Sequence, residues 1–210
     1  MYRILLTIND FVMGRGSGGV RITNNNNDAI RDYVSGDAMY INNILRREGE
    51  LDDYEKSLVR DLDRATNKEI KENILYRSVD AEAIFGKLDD SQFENLVDRV
   101  VWNDKQPLIV RNTEPILKRA SNITITEKGF MSTSKDKNVV DNWGDFSGAK
   151  HPIVLKIQTN GKAKGFDVSK SKYEVQGDEQ NEVILRRNLK YKVEKIYGEN
   201  NNIYVDVTLI

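Results

Sequence analysis

The chain has 210 residues, 39% hydrophobic and 31% charged, a composition that supports one domain with an ordinary core and argues against a disordered chain. Its 32 Lys plus Arg nearly cancel 33 Asp plus Glu, and a net charge of -1 offers no broad basic field for general nucleic-acid binding or for an anionic membrane. With no Cys and a single His, His151, the sequence excludes disulfides, thiolate zinc sites, a cysteine nucleophile and any metal site needing two imidazoles.

In chain order, Met1 to Ile8 fits a strand or a short helix start. Its apolar run is too short for an export-signal core, and no run reaches membrane-spanning length, so a cytoplasmic location is expected. The glycine-rich segment Met13 to Gly19 lacks the Gly-Lys-Ser/Thr ending of a phosphate-binding loop and reads, with Asn24 to Asn27, as a linker. The expected organisation is therefore an extension over 1–27 and a folded domain over 28–210.

Helical spacing covers Asp28 to Arg47, with an interruption around Ser35, Gly36 and Asp37. A second helix is predicted from Tyr54 to Ala65, with Leu58, Val59 and Leu62 inward and Glu55, Lys56, Arg60 and Asp61 on a solvated face. Ile74 to Ser78 is a short strand ending on Arg77, whose guanidinium cannot lose its charge and must meet an anion, either an internal carboxylate or a phosphate. Phe85 to Trp102 mixes helix and loop, and Pro107 to Leu117 reads as a strand followed by a turn-helix unit.

Ile123 to Thr126 is strand-like, Ser132, Thr133 and Ser134 form a hydroxyl run suited to a turn or cap, and a helix is predicted from Lys137 to Trp143. His151 before Pro152 is a loop residue. Strands follow at Ile153 to Ile157, Gly165 to Val168, Val183 to Leu185, Tyr191 to Ile196 and Ile203 to Ile210, with a hairpin-like turn over Gly198 to Asn202. Helices first and many short strands afterwards indicate an α+β fold with mainly antiparallel sheets packed face to face. Glu182 opens one of these strands; such a position is either a solvated boundary or a carboxylate held by a rigid element beside a loop that can admit a ligand.

Four separated stretches then align with one family. Tyr33-Val34-Ser35-Gly36 with Ile41-Asn42-Asn43-Ile44-Leu45-Arg46, Leu75-Tyr76-Arg77-Ser78, Gly129-Phe130-Met131-Ser132-Thr133-Ser134, and Gln180-Asn181-Glu182-Val183-Ile184-Leu185 resemble the tyrosine turn and helix, strand-borne arginine, Ser-Thr-Ser strand and Gln-x-Glu motif of the bacterial toxin-type mono-ADP-ribosyltransferases. The resemblance runs from about Asp28 to Ile210. The sequence departs from the common pattern at Ala38, where many members carry a second tyrosine, and in a longer loop before Gln180, where Glu179 permits a rival alignment.

The resemblance implies the ADP-ribosyltransferase fold, with N-terminal helices on two face-to-face sheets flanking an NAD cleft. It implies cleavage of the nicotinamide-ribose bond of NAD+ without a metal, through an oxocarbenium-like state that needs a fixed negative charge near the ribose. By the same resemblance Glu182 is the catalytic carboxylate, oriented by Ser132, and Ser134 pins neighbouring strands. Arg77, Ser78, Asn42, Tyr33 and Arg46 form the NAD+ cradle. Gln180 and Tyr173 face the acceptor; glutamine at position 180, as in the Rho-modifying clostridial exoenzymes, implies an amide side chain rather than arginine as acceptor. An NAD+ glycohydrolase and a catalytically silent binding module are the alternatives. The expected partner is a protein of a host or target cell, for a monomeric enzyme encoded by a bacteriophage or delivered as an effector.

Overall fold

The computed structural model describes residues 26–86, 124–141, 152–171, 180–199 and 202–210. The expectations for Met1 to Ile8, for Met13 to Gly19, for Pro107 to Leu117 and for His151 and Tyr173 lie outside these residues, as does most of Phe85 to Trp102.

The first helical segment breaks where the sequence indicates. Helix α1 (Asn26–Asp32) passes through a wide turn at Tyr33–Asp37 into α2 (Ala38–Arg47). Gly36 makes the kink with φ 155° and ψ -20°, backbone angles that a side chain rarely accepts. Glu48 ends α2 in the left-handed region, φ 54°, and its N–H returns to the carbonyl of Leu45.

Helix α3 (Asp53–Ala65) starts with a reciprocal cap. The Asp52 carboxylate accepts from the Glu55 N–H at 2.8 Å, and the Glu55 carboxylate accepts from the Asp52 N–H at 2.7 Å. Leu58, Val59 and Leu62 are buried as their spacing predicts. The solvated face is only half right, because Glu55 and Asp61 are buried at 4% and 2% exposure. Each has a partner that helical periodicity does not reveal: the cap and the Tyr40 hydroxyl for Glu55, and both Arg60 and Arg64 for Asp61.

The strands are β1 (Lys68–Glu69), β2 (Ile74–Asp80), β3 (Thr124–Glu127), β4 (Met131–Ser134), β5 (Pro152–Gln158), β6 (Lys164–Asp167), β7 (Glu182–Leu185), β8 (Leu189–Glu199) and β9 (Asn202–Leu209). Short helices α4 (Glu82–Phe85) and α5 (Lys137–Asp141) follow β2 and β4. The helix predicted from Lys137 is present to Asp141, beyond which the residues are not described.

The strand order is β1-β6-β7-β4-β2-β5-β9-β8-β3, and every described pairing is antiparallel except β5 with β9. The two expected sheets are thus two wings of one nine-stranded sheet. Their junction, β2 against β4, has the single register pair Tyr76↔Ser134, whereas β2 is paired with β5 from Ile74 to Asp80. So narrow a seam lets strongly twisted wings turn toward each other. Met131, Val183 and Leu185 from one wing share a core with Leu75, Leu155, Val193 and Val207 from the other. The opposite face of the β4–β7 wing carries Phe130 and Ile184, which pack against the helices through Tyr33, Ile41, Leu58 and Leu62.

Removing the α3 cap tests this local account. Asp52→Ala is expected to lower unfolding stability by about 1 kcal/mol in urea titrations with an unchanged slope; a loss near zero would show that the cap is redundant with packing.

Candidate active site

The site is assembled on the short link between β3 and β4. Gly129 approaches α2 so closely that a Cβ there would lie 2.7 Å from Asn42 Oδ1 and 3.1 Å from Glu127 Oε1, a space that admits only hydrogen. The approach lets the Phe130 N–H donate to Asn42 Oδ1 at 2.8 Å, while Asn42 Nδ2 donates to the Tyr33 hydroxyl at 2.9 Å. The Tyr33 hydroxyl donates to the Phe130 carbonyl at 3.3 Å and accepts from Ser132 Oγ at 3.5 Å. Phe130 also meets the Tyr33 ring edge-on, with centroids 6.0 Å apart. One buried amide thus couples the kinked helix to the Ser-Thr-Ser strand.

Arg77 enters from β2. Its residue is 4% exposed, and Nη1 donates to the Ser132 carbonyl at 3.0 Å. Burial lowers its basicity below the ordinary arginine value; the nearby positive charge of Arg46 acts the same way, and Glu127, Tyr33 and Tyr191 oppose it. Arg46 is itself gripped by Glu127, with Nε donating to Oε1 at 2.9 Å and Nη2 to Oε2 at 3.3 Å. Glu127 Oε1 also accepts from the Gly129 N–H at 2.8 Å.

Glu127 and Tyr191 are members of this neighbourhood that the sequence reading missed. A signal for Glu127 was available: it shares strand parity with buried Ile125, so its carboxylate was bound to face inward and require a cation. Tyr191 carried none beyond its place in an alternating strand.

Glu182 begins β7, as expected, and lies directly across the ladder from Ser134, with Ser132 opposite Ile184. Ser132, Ser134 and Glu182 consequently share the face turned toward the helices. Ser134 Oγ donates to the Gln180 carbonyl at 2.6 Å and accepts from the Asp136 N–H at 2.9 Å, while Thr133 Oγ1 donates to the Val183 carbonyl at 2.7 Å. The three hydroxyls therefore stitch β4 to β7 and to Tyr33, which is why the run forms a strand and not a turn or cap. Gln180 precedes β7, and Asn181 between it and Glu182 has φ 48°. Left-handed backbone at that position means strand alternation does not extend back to Gln180, so residues 180 and 182 are not placed on one side by simple periodicity.

The Tyr33 phenol connects the two charges. Burial raises it above its ordinary value; hydrogen bonds from Ser132 and Asn42 and the charge of Arg77 pull it down, and the charge of Glu182 pushes it up. Arg77 and Glu182 thus act on the same buried hydroxyl. Tyr33, Asn42, Arg46, Arg77, Ser132, Ser134 and Glu182 are brought together in this way.

Ser78 follows Arg77 in β2, paired with Val154, and shares the side of the strand that carries Tyr76, the register partner of Ser134; its buried Oγ lacks a hydrogen-bond partner among the described residues. Among the described residues no group of three or more His, Asp or Glu is arranged to hold a metal, and no helix is long and apolar enough to cross a membrane.

This arrangement of a buried arginine, a hydroxyl strand and a carboxylate-led strand is that of an NAD+-dependent ADP-ribosyltransferase. The family model described as ADP-ribosyltransferase exoenzyme matches residues 16–210, and the chain belongs to that family, whose members transfer ADP-ribose from NAD+ to proteins.

Solved structures with the same fold include an ADP-ribosyltransferase from Clostridium botulinum in a triclinic crystal form, at 22% identity and TM-score 0.63, covering 90% of this chain and 87% of that one. The C3larvin toxin of Paenibacillus larvae is 20% identical with TM-score 0.60, covering 90% and 89%. C3stau2 from S. aureus, solved with NAD, is 20% identical with TM-score 0.64, covering 88% and 86%. A comparison with curated proteins returned no match.

Burial raises the hydroxyls of both Tyr33 and Tyr191 above the ordinary value of 10.0. Their contribution to stability is complete below pH 10.0 and is lost as pH climbs through the raised folded values, because the unfolded chain releases these protons first. Urea midpoints are expected to fall above that pH, and less steeply in Tyr191→Phe; an equally steep fall in the variant would remove Tyr191 from the account.

Proposed function

We propose that the chain is a protein mono-ADP-ribosyltransferase in which Arg77 and Glu182 divide the work between binding and chemistry. The observation that carries this reading is that both adjoin the Ser-Thr-Ser strand: Arg77 Nη1 donates to the Ser132 carbonyl at 3.0 Å, and Glu182 lies across the ladder from Ser134. Two guanidinium groups, Arg46 and Arg77, lie close enough for one to depress the basicity of the other. A diphosphate fits such a pair, because it relieves their repulsion and accepts charge-assisted hydrogen bonds.

Arg77, Arg46, Asn42 and Tyr33 would hold NAD+, which when bound supplies the ADP-ribose group and the nicotinamide-ribose bond to be broken. The family resemblance assigns Glu182 to the ribose side, where its carboxylate would stabilise positive charge developing as that bond weakens. Ser132 acts on this arrangement through Tyr33, its hydrogen-bond partner, and Ser134 through the backbone at Gln180. Ser78 keeps its assignment to the NAD+ cradle, supported by its place on the same side of β2 as Tyr76, whose register partner Ser134 lies across the ladder from Glu182.

Gln180 and Tyr173 are assigned to the acceptor. A neutral amide at position 180 pairs by donor and acceptor with another amide, which favours Asn or Gln over arginine as the modified side chain. We take the domain to begin no later than Asn26, where α1 starts, and the family match reaches back to residue 16. Its protein acceptor would be met in the cytoplasm of a host or target cell.

Labelled NAD+ incubated with host lysate tests the reading: label on a protein band is expected, whereas free ADP-ribose alone would favour a glycohydrolase. Glu182→Gln is expected to lose at least ~100-fold in turnover with its thermal midpoint retained; unchanged turnover would remove Glu182 from the chemistry. Gln180→Ala is expected to impair protein labelling while NAD+ hydrolysis persists, and equal loss of both would reassign Gln180 to NAD+ binding.

A further inference from the structure

A second concentration of positive charge lies away from Arg77. An open groove of about 440 Å³ runs between α3 and the turn after β7. Lys56, Arg60 and Arg64 line it from α3, spaced four residues apart and therefore stacked along one face. Arg186 and Arg187 line it from the turn, and Leu51 and Val59 contribute apolar surface. Asp63 is the carboxylate in this lining, and with Asp53 and Asp61, the partners of the α3 cations, three carboxylates meet five cations.

The stripe is only partly neutralised within the fold: Lys56 meets Asp53 at 3.7 Å, and Arg60 and Arg64 share the single carboxylate of Asp61. Like charges four apart on a helix cost a few tenths of a kcal/mol per pair. Buried Asp61 contacts both Arg60 and Arg64, yet their side chains remain 57% and 63% exposed, and Lys56 is 64% exposed. The other wall is fixed in place. Arg187 Nε donates to Asp63 Oδ1 at 2.9 Å and Nη2 donates to Oδ2 at 2.8 Å, while Arg186 Nη1 donates to Asn67 Oδ1 at 3.0 Å. The groove thus combines exposed cations on one side with oriented guanidinium groups on the other.

Its position relates it to the reaction. Strand β7 begins with Glu182 and ends at Leu185, one residue before Arg186, so the groove opens about 13 Å further along the chain at ordinary strand rise. We propose that this groove docks an acidic segment of the acceptor protein, placing the side chain to be modified near Glu182. The proposal rests on the transferase reading above. An acidic peptide suits the groove because guanidinium forks pair with carboxylates and an apolar strip can take the intervening side chains. A near-neutral chain with one local cationic groove is a poor match for an extended nucleic-acid backbone.

The test uses the full chain, a fluorescein-labelled oligoglutamate peptide as probe, and charge reversal at the exposed arginines. The wild type is expected to bind the peptide at low salt and to release it as salt rises. The combined variant Arg60→Glu, Arg64→Glu is expected to bind at least ~10-fold more weakly. Its labelling of lysate protein should fall by a similar factor with NAD+ hydrolysis unchanged, while its thermal midpoint falls because buried Asp61 loses both cationic partners. Should the combined variant fold poorly, Lys56→Glu, which leaves Asp61 and its two arginines in place, carries the same comparison.

Absence of peptide binding at low salt, equal binding by variant and wild type, or tighter binding of a duplex oligonucleotide or of phosphatidylserine vesicles would each overturn the proposal. Undiminished protein labelling by a variant that no longer binds peptide would overturn it as well. Failure of the transferase reading is read separately, as absence of NAD+ cleavage or of protein labelling by the wild type, while the peptide measurement stands on its own.

Discussion

A guanidinium that cannot give up its charge, buried at 4% exposure, is the constraint on which the centre of this protein depends. Arg77 has the Ser132 carbonyl as a hydrogen-bond acceptor, and the nearby carboxylate of Glu127 is already committed to Arg46 and to the Gly129 N–H. The NAD+ binding proposed above gives that guanidinium a diphosphate to pair with.

The rest of the architecture carries the two charges on either side of a seam. Arg77 belongs to the wing that contains β2, and Glu182 to the wing that contains β7, with β4 between them. The β2–β4 junction is a single register pair, so ladder hydrogen bonds alone would hold the two wings loosely. Side chains supply the missing rigidity. Thr133 and Ser134 bond to the backbone of the strand that carries Glu182, and Ser132 reaches Tyr33 while its own carbonyl receives Arg77. Small hydroxyls suit this task because each can donate and accept within a strand's width without opening the core.

Two regions of positive charge therefore coexist with opposite physical character. Around Arg77 the cations are desolvated and paired through a fixed network, so their effect is short-ranged and insensitive to salt. On α3 the cations stand in water, where their field reaches further and is screened by ions. The first kind of site orients a small ligand; the second kind attracts and aligns a large one.

Much of this was legible in one dimension. The kinked helix pair, α3 and the strands β2, β5, β7, β8 and β9 follow from periodicity and from glycine at a break, because local backbone preference is written residue by residue. The residues Tyr33, Asn42, Arg46, Arg77, Ser132 and Glu182 were singled out by the resemblance of four short motifs to one family. What only the tertiary structure decided concerns partners distant in the chain. The Glu127–Arg46 pair spans 81 residues and Asn42 to Phe130 spans 88, so neither has a periodic signature. Asn181 takes left-handed backbone between Gln180 and Glu182, so strand alternation does not relate the two. Which face a strand shows, and which charge it meets there, is settled when separate segments compete for one buried space, and that competition is absent from any local stretch of sequence.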